Sequence, residues 1–222
     1  MATIKEKDFI TIEYTGKLED GMVFDTTNED AAKAAGLRNP KAGYGAVVIC
    51  IGQAQLLEGL DRALIGATVG EHTIILPPES AFGKKSAKLI QLVATSKFKK
   101  EGIKPHTGLQ VNIDGMLGVI KNVSGGRTLV DFNHPLSGRK ISYDVTIKEI
   151  ITDIARQLEG LVTLSLGNEA KSDFKEGTAI VITRVPLPDS MKAQMKSSIN
   201  DLIPSIKTVE FKKEETLKPE EK

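Results

Sequence analysis

Residues 9–25 read Phe9-Ile-Thr-Ile-Glu-Tyr-Thr-Gly-Lys-Leu-Glu-Asp-Gly-Met-Val-Phe-Asp25. Ile10, Ile12 and Tyr14 alternate with Thr11, Glu13 and Thr15, the period of a strand with one buried face. Asp20-Gly21 is a hairpin signal, because glycine takes the positive φ that such turns need. Met22, Val23 and Phe24 start the return strand, so residues 8–26 are expected to form a β hairpin. Its last strand delivers a carboxylate, Asp25, beside an aromatic ring, Phe24. A carboxylate at the end of an apolar strand needs a partner, and a tyrosine hydroxyl such as that of Tyr14 can supply one.

Working outward, residues 28–36 are an Ala-rich helix with an Asn cap and a Gly stop, followed by a Gly/Pro loop at 39–45. Residues 47–51 form an apolar strand that ends at Gly52. Leu57, Leu60 and Leu64 recur at helical spacing before Gly66. A strand at 71–76 stops at Pro77-Pro78, and Ala81-Phe82-Gly83 makes a turn. The stretch 86–132 changes character. Short strands at 109–113, 116–123 and 128–132, separated by Asp114-Gly115 and Ser124-Gly-Gly126, form a β meander. Ile141, Tyr143, Val145 and Ile147 alternate cleanly with polar residues. Beyond them lie a short helix at 153–161, a strand at 179–185, a helix at 188–203, a strand at 206–211 and a frayed tail of mixed charge at 212–222.

Composition excludes whole classes. At 222 residues the chain buries about 70% of its extended surface on folding and needs no disulfide or metal staple. Thirty basic residues against 29 acidic leave a net charge of +1, which argues against a general polyanion-binding field. A single cysteine, Cys50, excludes an internal disulfide, and in its apolar run it reads as a small buried hydrophobe. No run reaches membrane-span length and the N-terminus lacks an apolar leader core, so a cytoplasmic location is expected. Aromatics make up only 5%, with no Trp, three Tyr and seven Phe, so their positions carry weight.

His72, His106 and His134 have no second His or Cys at ligand spacing, so neither a metal nor another cofactor is expected. His72 reads as a satisfied strand residue and His134 as part of a turn. Lys97, Lys99, Lys100 and Lys104 form a basic patch that reads as a solvated loop. With only Phe98 among them to stack on a base, nucleic acid is not expected as a partner. What remains is a set of apolar and aromatic side chains near loops, Tyr14, Phe24, Leu56, Leu57, Phe82 and Tyr143, around one acid, Asp25. The plain alternative for these residues is ordinary core packing.

In their order, Tyr14-Thr-Gly16, Asp20-Gly21, Phe24-Asp25, Ile51-Gly52, Leu56-Leu-Glu-Gly-Leu-Asp61, Ala63-Leu64, Gly66, Val69-Gly-Glu71, Ala81-Phe-Gly83 and Tyr143-Asp-Val145 resemble the FKBP-type peptidyl-prolyl isomerases. The excursion at 84–135, ending in Asn133-His-Pro-Leu136, is similar to the inserted flap domain of the SlyD-like branch. The Ala-rich segment and the C-terminal extension resemble its long archaeal members. The resemblance implies an α+β fold, an antiparallel sheet wrapped on a helix, with an inserted small β domain and a C-terminal α/β unit. It implies an isomerase domain at 1–83 plus 136–152, a chaperone insert at 84–135 and a C-terminal domain at 153–222 that is the candidate dimer contact.

By the same resemblance the pocket is Tyr14, Phe24, Asp25, Leu56, Leu57, Leu60, Phe82 and Tyr143, with Val47 and Ile49 also binding substrate. Leu60 stands where small members carry Trp, and Phe82 where they usually carry a ligand-binding Tyr. The metal-binding tail of some bacterial members is absent. The implied function is isomerisation of X–Pro bonds in unfolded polypeptides, without cofactor. The alternative is a holdase or peptide-binding module of the same fold with little isomerase activity.

Overall fold

A computed structural model describes residues 2–40 and 43–214. The chain forms two compact units, Met1–Ile75 with Ile141–Lys222, and Leu76–Lys140. The fold is α+β with mainly antiparallel pairing.

The first unit is built on β1 (Phe9–Leu18), whose Phe9, Ile10 and Ile12 are buried. β9 (Ile141–Ile151) runs antiparallel along all of it, from Phe9 opposite Ile151 to Leu18 opposite Ile141. β2 (Val23–Thr26) pairs with the other side of the second half of β1, and β3 (Val47–Cys50) with the first half. β4 (Gly70–Leu76) flanks β9. The hairpin, the apolar strand and the alternating strand all stand where the sequence pattern places them. α1 (Glu29–Ala34) is capped by Asn28, whose Oδ1 accepts the Ala31 N–H at 2.8 Å. α2 (Glu58–Leu64) turns Leu60 and Leu64 into the core. Its buried Asp61 accepts the Gly52 N–H with both carboxylate oxygens at 3.0 Å, which fixes the end of β3 to the helix.

The C-terminal elements belong to this unit. α4 (Ile154–Leu166) is capped by Asp153 and extends five residues beyond the expected end at 161. β10 (Lys171–Lys175), which hydropathy does not reveal, pairs antiparallel with β11 (Thr178–Thr183). β12 (Thr208–Lys213) lies parallel to β11 across α5 (Asp189–Leu202), since parallel neighbours need a crossover. Phe9, Cys50 and Ile151 share one core with Leu158, Leu161, Val181 and Ile199. Lys212 and Lys213, expected in the frayed tail, end β12 instead, and 215–222 lie outside the described residues.

The second unit holds β5 (Ile90–Ala94), α3 (Thr95–Lys100), β6 (Gln110–Ile113), β7 (Met116–Ser124) and β8 (Arg127–Asp131), in the sheet order β5-β8-β7-β6. The meander is as expected, while β5 and α3 are additions. Lys97, Lys99 and Lys100 lie on α3 and not on a loop, because Phe98 turns inward and joins Val111, Ile120 and Val130 in a small core. Lys97 pairs with Asp114 at 2.9 Å.

Candidate functional site

Strand pairing at the hairpin explains how its acid and its ring come to one place. Thr15 faces Thr26 and Gly16 faces Asp25, but Lys17 faces Val23. Phe24 is therefore the extra residue of a β-bulge. Neighbours on a regular strand point to opposite faces, and a bulge relaxes that rule. Phe24 and Asp25 accordingly line the same cavity, of about 350 Å³, together with Tyr14 from β1 and Val47 from β3. Tyr143 supports it from β9. Its ring meets that of Tyr14 edge-on at 5.8 Å between centroids and that of Phe24 at 5.7 Å.

Thr27 fixes the backbone of Tyr14. The Tyr14 N–H donates to the Thr27 hydroxyl at 2.9 Å, and the Thr27 N–H donates to the Tyr14 carbonyl at 3.0 Å. The Thr27 carbonyl also accepts the Gly45 N–H at 2.7 Å, which ties down the loop before β3.

The Tyr14 hydroxyl and the Asp25 carboxylate stand near enough to perturb each other through hydrogen bonding and charge. Burial raises the Asp25 carboxyl above its usual value, and the bonds from Tyr14 and the Thr26 backbone offset part of that rise. Burial first, then the charge of Asp25, pushes Tyr14 up to about 12. The same two causes raise Tyr143. At neutral pH both phenols keep their protons, and Tyr14 stays a donor held against the acid.

The other expected residues lie as follows. Ile49 and Leu60 are closed in the core at 2% and 1% exposure, and neither lines this cavity. Leu56 and Leu57 are half-buried just ahead of α2 and do not line it either. Phe82 lies in the second unit, where its ring stacks flat on His134 at 4.5 Å and its carbonyl accepts the Ser137 hydroxyl. The cavity also has walls that the hydropathy pattern does not mark: Thr26, Thr27, Ala32, Leu37, Asn39 and Tyr44. The hydroxyl of Tyr44 accepts the Asn39 N–H at 2.9 Å. Its signal in the sequence is that, of only three tyrosines, it alone stands outside the strands.

This arrangement suits binding and hydrogen bonding rather than nucleophilic attack. The Cys50 thiol is buried and pushed up to about 12, first by that burial. His72 holds the Thr68 carbonyl at 2.7 Å. Among the described residues no three His, Cys, Asp or Glu side chains cluster to hold a metal. A cavity with aromatic walls and one carboxylate suits an apolar ring with an N–H beside it.

Known proteins resemble about two thirds of the chain. A family model for FKBP-type peptidyl-prolyl cis-trans isomerase matches residues 1–103, and one described as FKBP26, IF domain matches residues 91–136. The chain is 30% identical over 148 residues to the short-type peptidyl-prolyl cis-trans isomerase of Methanocaldococcus jannaschii, covering 66% of this chain and 94% of that protein. It is 32% identical over 154 residues to the FKBP-type 16 kDa peptidyl-prolyl cis-trans isomerase of Escherichia coli, covering 67% and 94%. It is 32% identical over 152 residues to the FKBP-type peptidyl-prolyl cis-trans isomerase SlyD of Aeromonas hydrophila, covering 67% and 65%.

Proposed function

The chain belongs to the FKBP-type peptidyl-prolyl cis-trans isomerase family, and from that premise we propose that it isomerises X–Pro bonds in unfolded polypeptides at the cavity of Tyr14, Phe24, Asp25 and Val47. Rotation about a peptide bond faces about 18–20 kcal/mol, because the planar amide loses its resonance on twisting. The planar form is the more dipolar, so water favours it over the twisted state. A cavity walled by Phe24, Val47 and the Tyr143-supported ring of Tyr14 removes that preference and holds the proline ring. Binding the twisted bond better than the planar one lowers the barrier. Asp25 orients Tyr14 and meets the substrate backbone, and no proton transfer is needed. By resemblance Leu56 and Leu57, half-buried just ahead of α2, are further substrate contacts, while Ile49 and Leu60 support the site from the core.

The observation that carries this reading is the convergence of Phe24, Asp25, Tyr14 and Val47 on one apolar space. A protein whose refolding is limited by proline isomerisation tests it. Catalytic amounts of this chain should shorten the slow phase, and an unchanged phase would sink the reading.

The second unit is the proposed chaperone segment. Leu92, Met116 and Leu117 are 61%, 45% and 73% exposed, apolar side chains open to segments of unfolded chains. Leu92→Ser with Leu117→Ser should weaken suppression of aggregation and leave turnover of a short proline peptide unchanged. Equal aggregation suppression by both proteins would count against it. Leu164, Val185 and Met191, exposed on the C-terminal elements, are the proposed contact for a second copy, and light scattering that returns the monomer mass would rule it out.

A further inference from the structure

The strand and loop that wall the cavity are held from behind by α4. β3 is only four residues long, and alternation sends its side chains to two sides. Val47 lines the cavity with Asp25, while Val48 packs into the core to which α4 contributes Leu158, Leu161 and Val162. Where α4 crosses β3 the helix carries Gly160, and a Cβ there would collide with the side chain of Val48. Glycine weakens a helix interior, so its place here answers a packing need. Just past the end of α4, the Asn168 side chain occupies the space that a side chain at Gly43 would need.

Gly43, Tyr44 and Val47 each wall two spaces: the cavity with Asp25 and a second one, of about 490 Å³, between the loop and α4. Arg156, on the helix side of that second space, is taken up by Glu149 through two bonds at 2.9 and 2.6 Å. β3 therefore rests on α4 at Val48, and the loop before it meets Asn168 at Gly43, with room between these supports.

We propose that Gly160 and Asn168 are positioning residues of the isomerase site: through Val48 and Gly43 they set how far Val47 and Tyr44 stand from Asp25. The inference rests on the substrate cavity proposed above, and it makes the C-terminal segment part of the frame of that cavity.

Three variants of the full chain test it: Gly160→Ala, Gly160→Ala with Val48→Ala, and Asn168→Ala. Gly160→Ala should raise KM for a short proline peptide about threefold or more with little change in kcat, the pattern of a lost binding contact. Adding Val48→Ala makes room for the new methyl and should restore KM. Asn168→Ala, at an exposed position, should raise KM without moving the thermal midpoint. The chain has no Trp, so Tyr44→Trp introduces a single reporter on the loop. Its emission should shift in the Gly160→Ala and Asn168→Ala backgrounds without any peptide. Unchanged KM and unchanged emission in both backgrounds overturn the proposal, as does a fall in kcat at constant KM. Should Gly160→Ala fail to fold, Asn168→Ala decides alone. If the parent chain shows no peptide turnover, it is the cavity reading that falls, and the emission shift still decides whether α4 sets the loop.

Discussion

Gly16 lies directly opposite Tyr143 in the β1–β9 ladder, and the tyrosine ring folds across the place where a Gly16 side chain would stand. A Cβ at Gly16 would meet Tyr143 Cε1 at 2.8 Å and Phe24 Cζ at 2.8 Å. The missing side chain is what lets the two rings pack over the strand and close the floor beneath Asp25.

Gly16→Ala therefore forces both rings aside. Overpacking of this kind costs about 1–3 kcal/mol. The denaturant midpoint should fall accordingly, and turnover of a proline peptide should fall further than stability alone explains. A variant with normal turnover would show that the ring pair does not shape the site.

Replacing Asp25 separates its two duties. Asp25→Ala leaves the half-buried Tyr14 hydroxyl without its acceptor, which costs about 1–3 kcal/mol. Asp25→Asn keeps an acceptor and loses only the charge. Turnover should drop about tenfold in the Ala variant, the equivalent of about 1.4 kcal/mol, and much less in the Asn variant. Equal losses in the two would mean that the charge, and not the bond to Tyr14, is what matters.

Tyr14 gives a prediction in alkali. Its hydroxyl is raised to about 12 in the folded chain from a reference of 10.0. Between those values the unfolded chain releases a proton that the folded chain keeps. The stability contributed by the neutral phenol is complete below about pH 10 and is lost as pH rises toward 12. Allowing for its partial solvent contact, the loss is about 2 kcal/mol. Urea unfolding of the parent chain and of Tyr14→Phe at about pH 9 and pH 11.5 reads it as a shrinking difference between them. Tyrosinate absorbance, parent minus variant, should have its midpoint near 12, and a midpoint near 10 would refute the buried pair.

Asp61 gives a fourth prediction. It is 5% exposed and both its oxygens accept the Gly52 N–H. Asp61→Ala orphans that amide and should cost about 2–3 kcal/mol, as bonds to charged groups do. Asp61→Asn retains an acceptor and should recover a large part of the loss in a thermal melt. A neutral Asp61→Ala would mean that Gly52 finds another partner.

Legibility in the sequence followed burial. Ile10, Ile12 and Ile141 to Ile147 were readable because one sheet face is buried and period two betrays it. β10, Lys-Ser-Asp-Phe-Lys, carries no such contrast, and β5 leaves Ile90 and Leu92 exposed, so neither strand announces itself. α3 hides behind three lysines because only Phe98 points inward. Tyr14, Phe24 and Asp25 could be picked out as one group because they close a single hairpin. Tyr44 could not, since a Gly/Pro loop has no period, and its place depends on a helix more than a hundred residues away. The bulge at Phe24 was equally silent, for only the pairing of Lys17 with Val23 exposes it.

The split path of the chain has a consequence for how it is made. β1 finds its full-length partner only in β9, and Thr11 bonds Glu149 across 138 positions. Emerging from N- to C-terminus, β1 must wait unpaired on that side until residue 151 is available. The stretch from Leu76 to Lys140 is continuous, so all its strands and its small core are present before β9 has been synthesised. Domains tend to form as units during synthesis, and distant pairings close slowly. The first strand made therefore completes its pairing only after the whole middle stretch has been made, and its core only with the C-terminal elements.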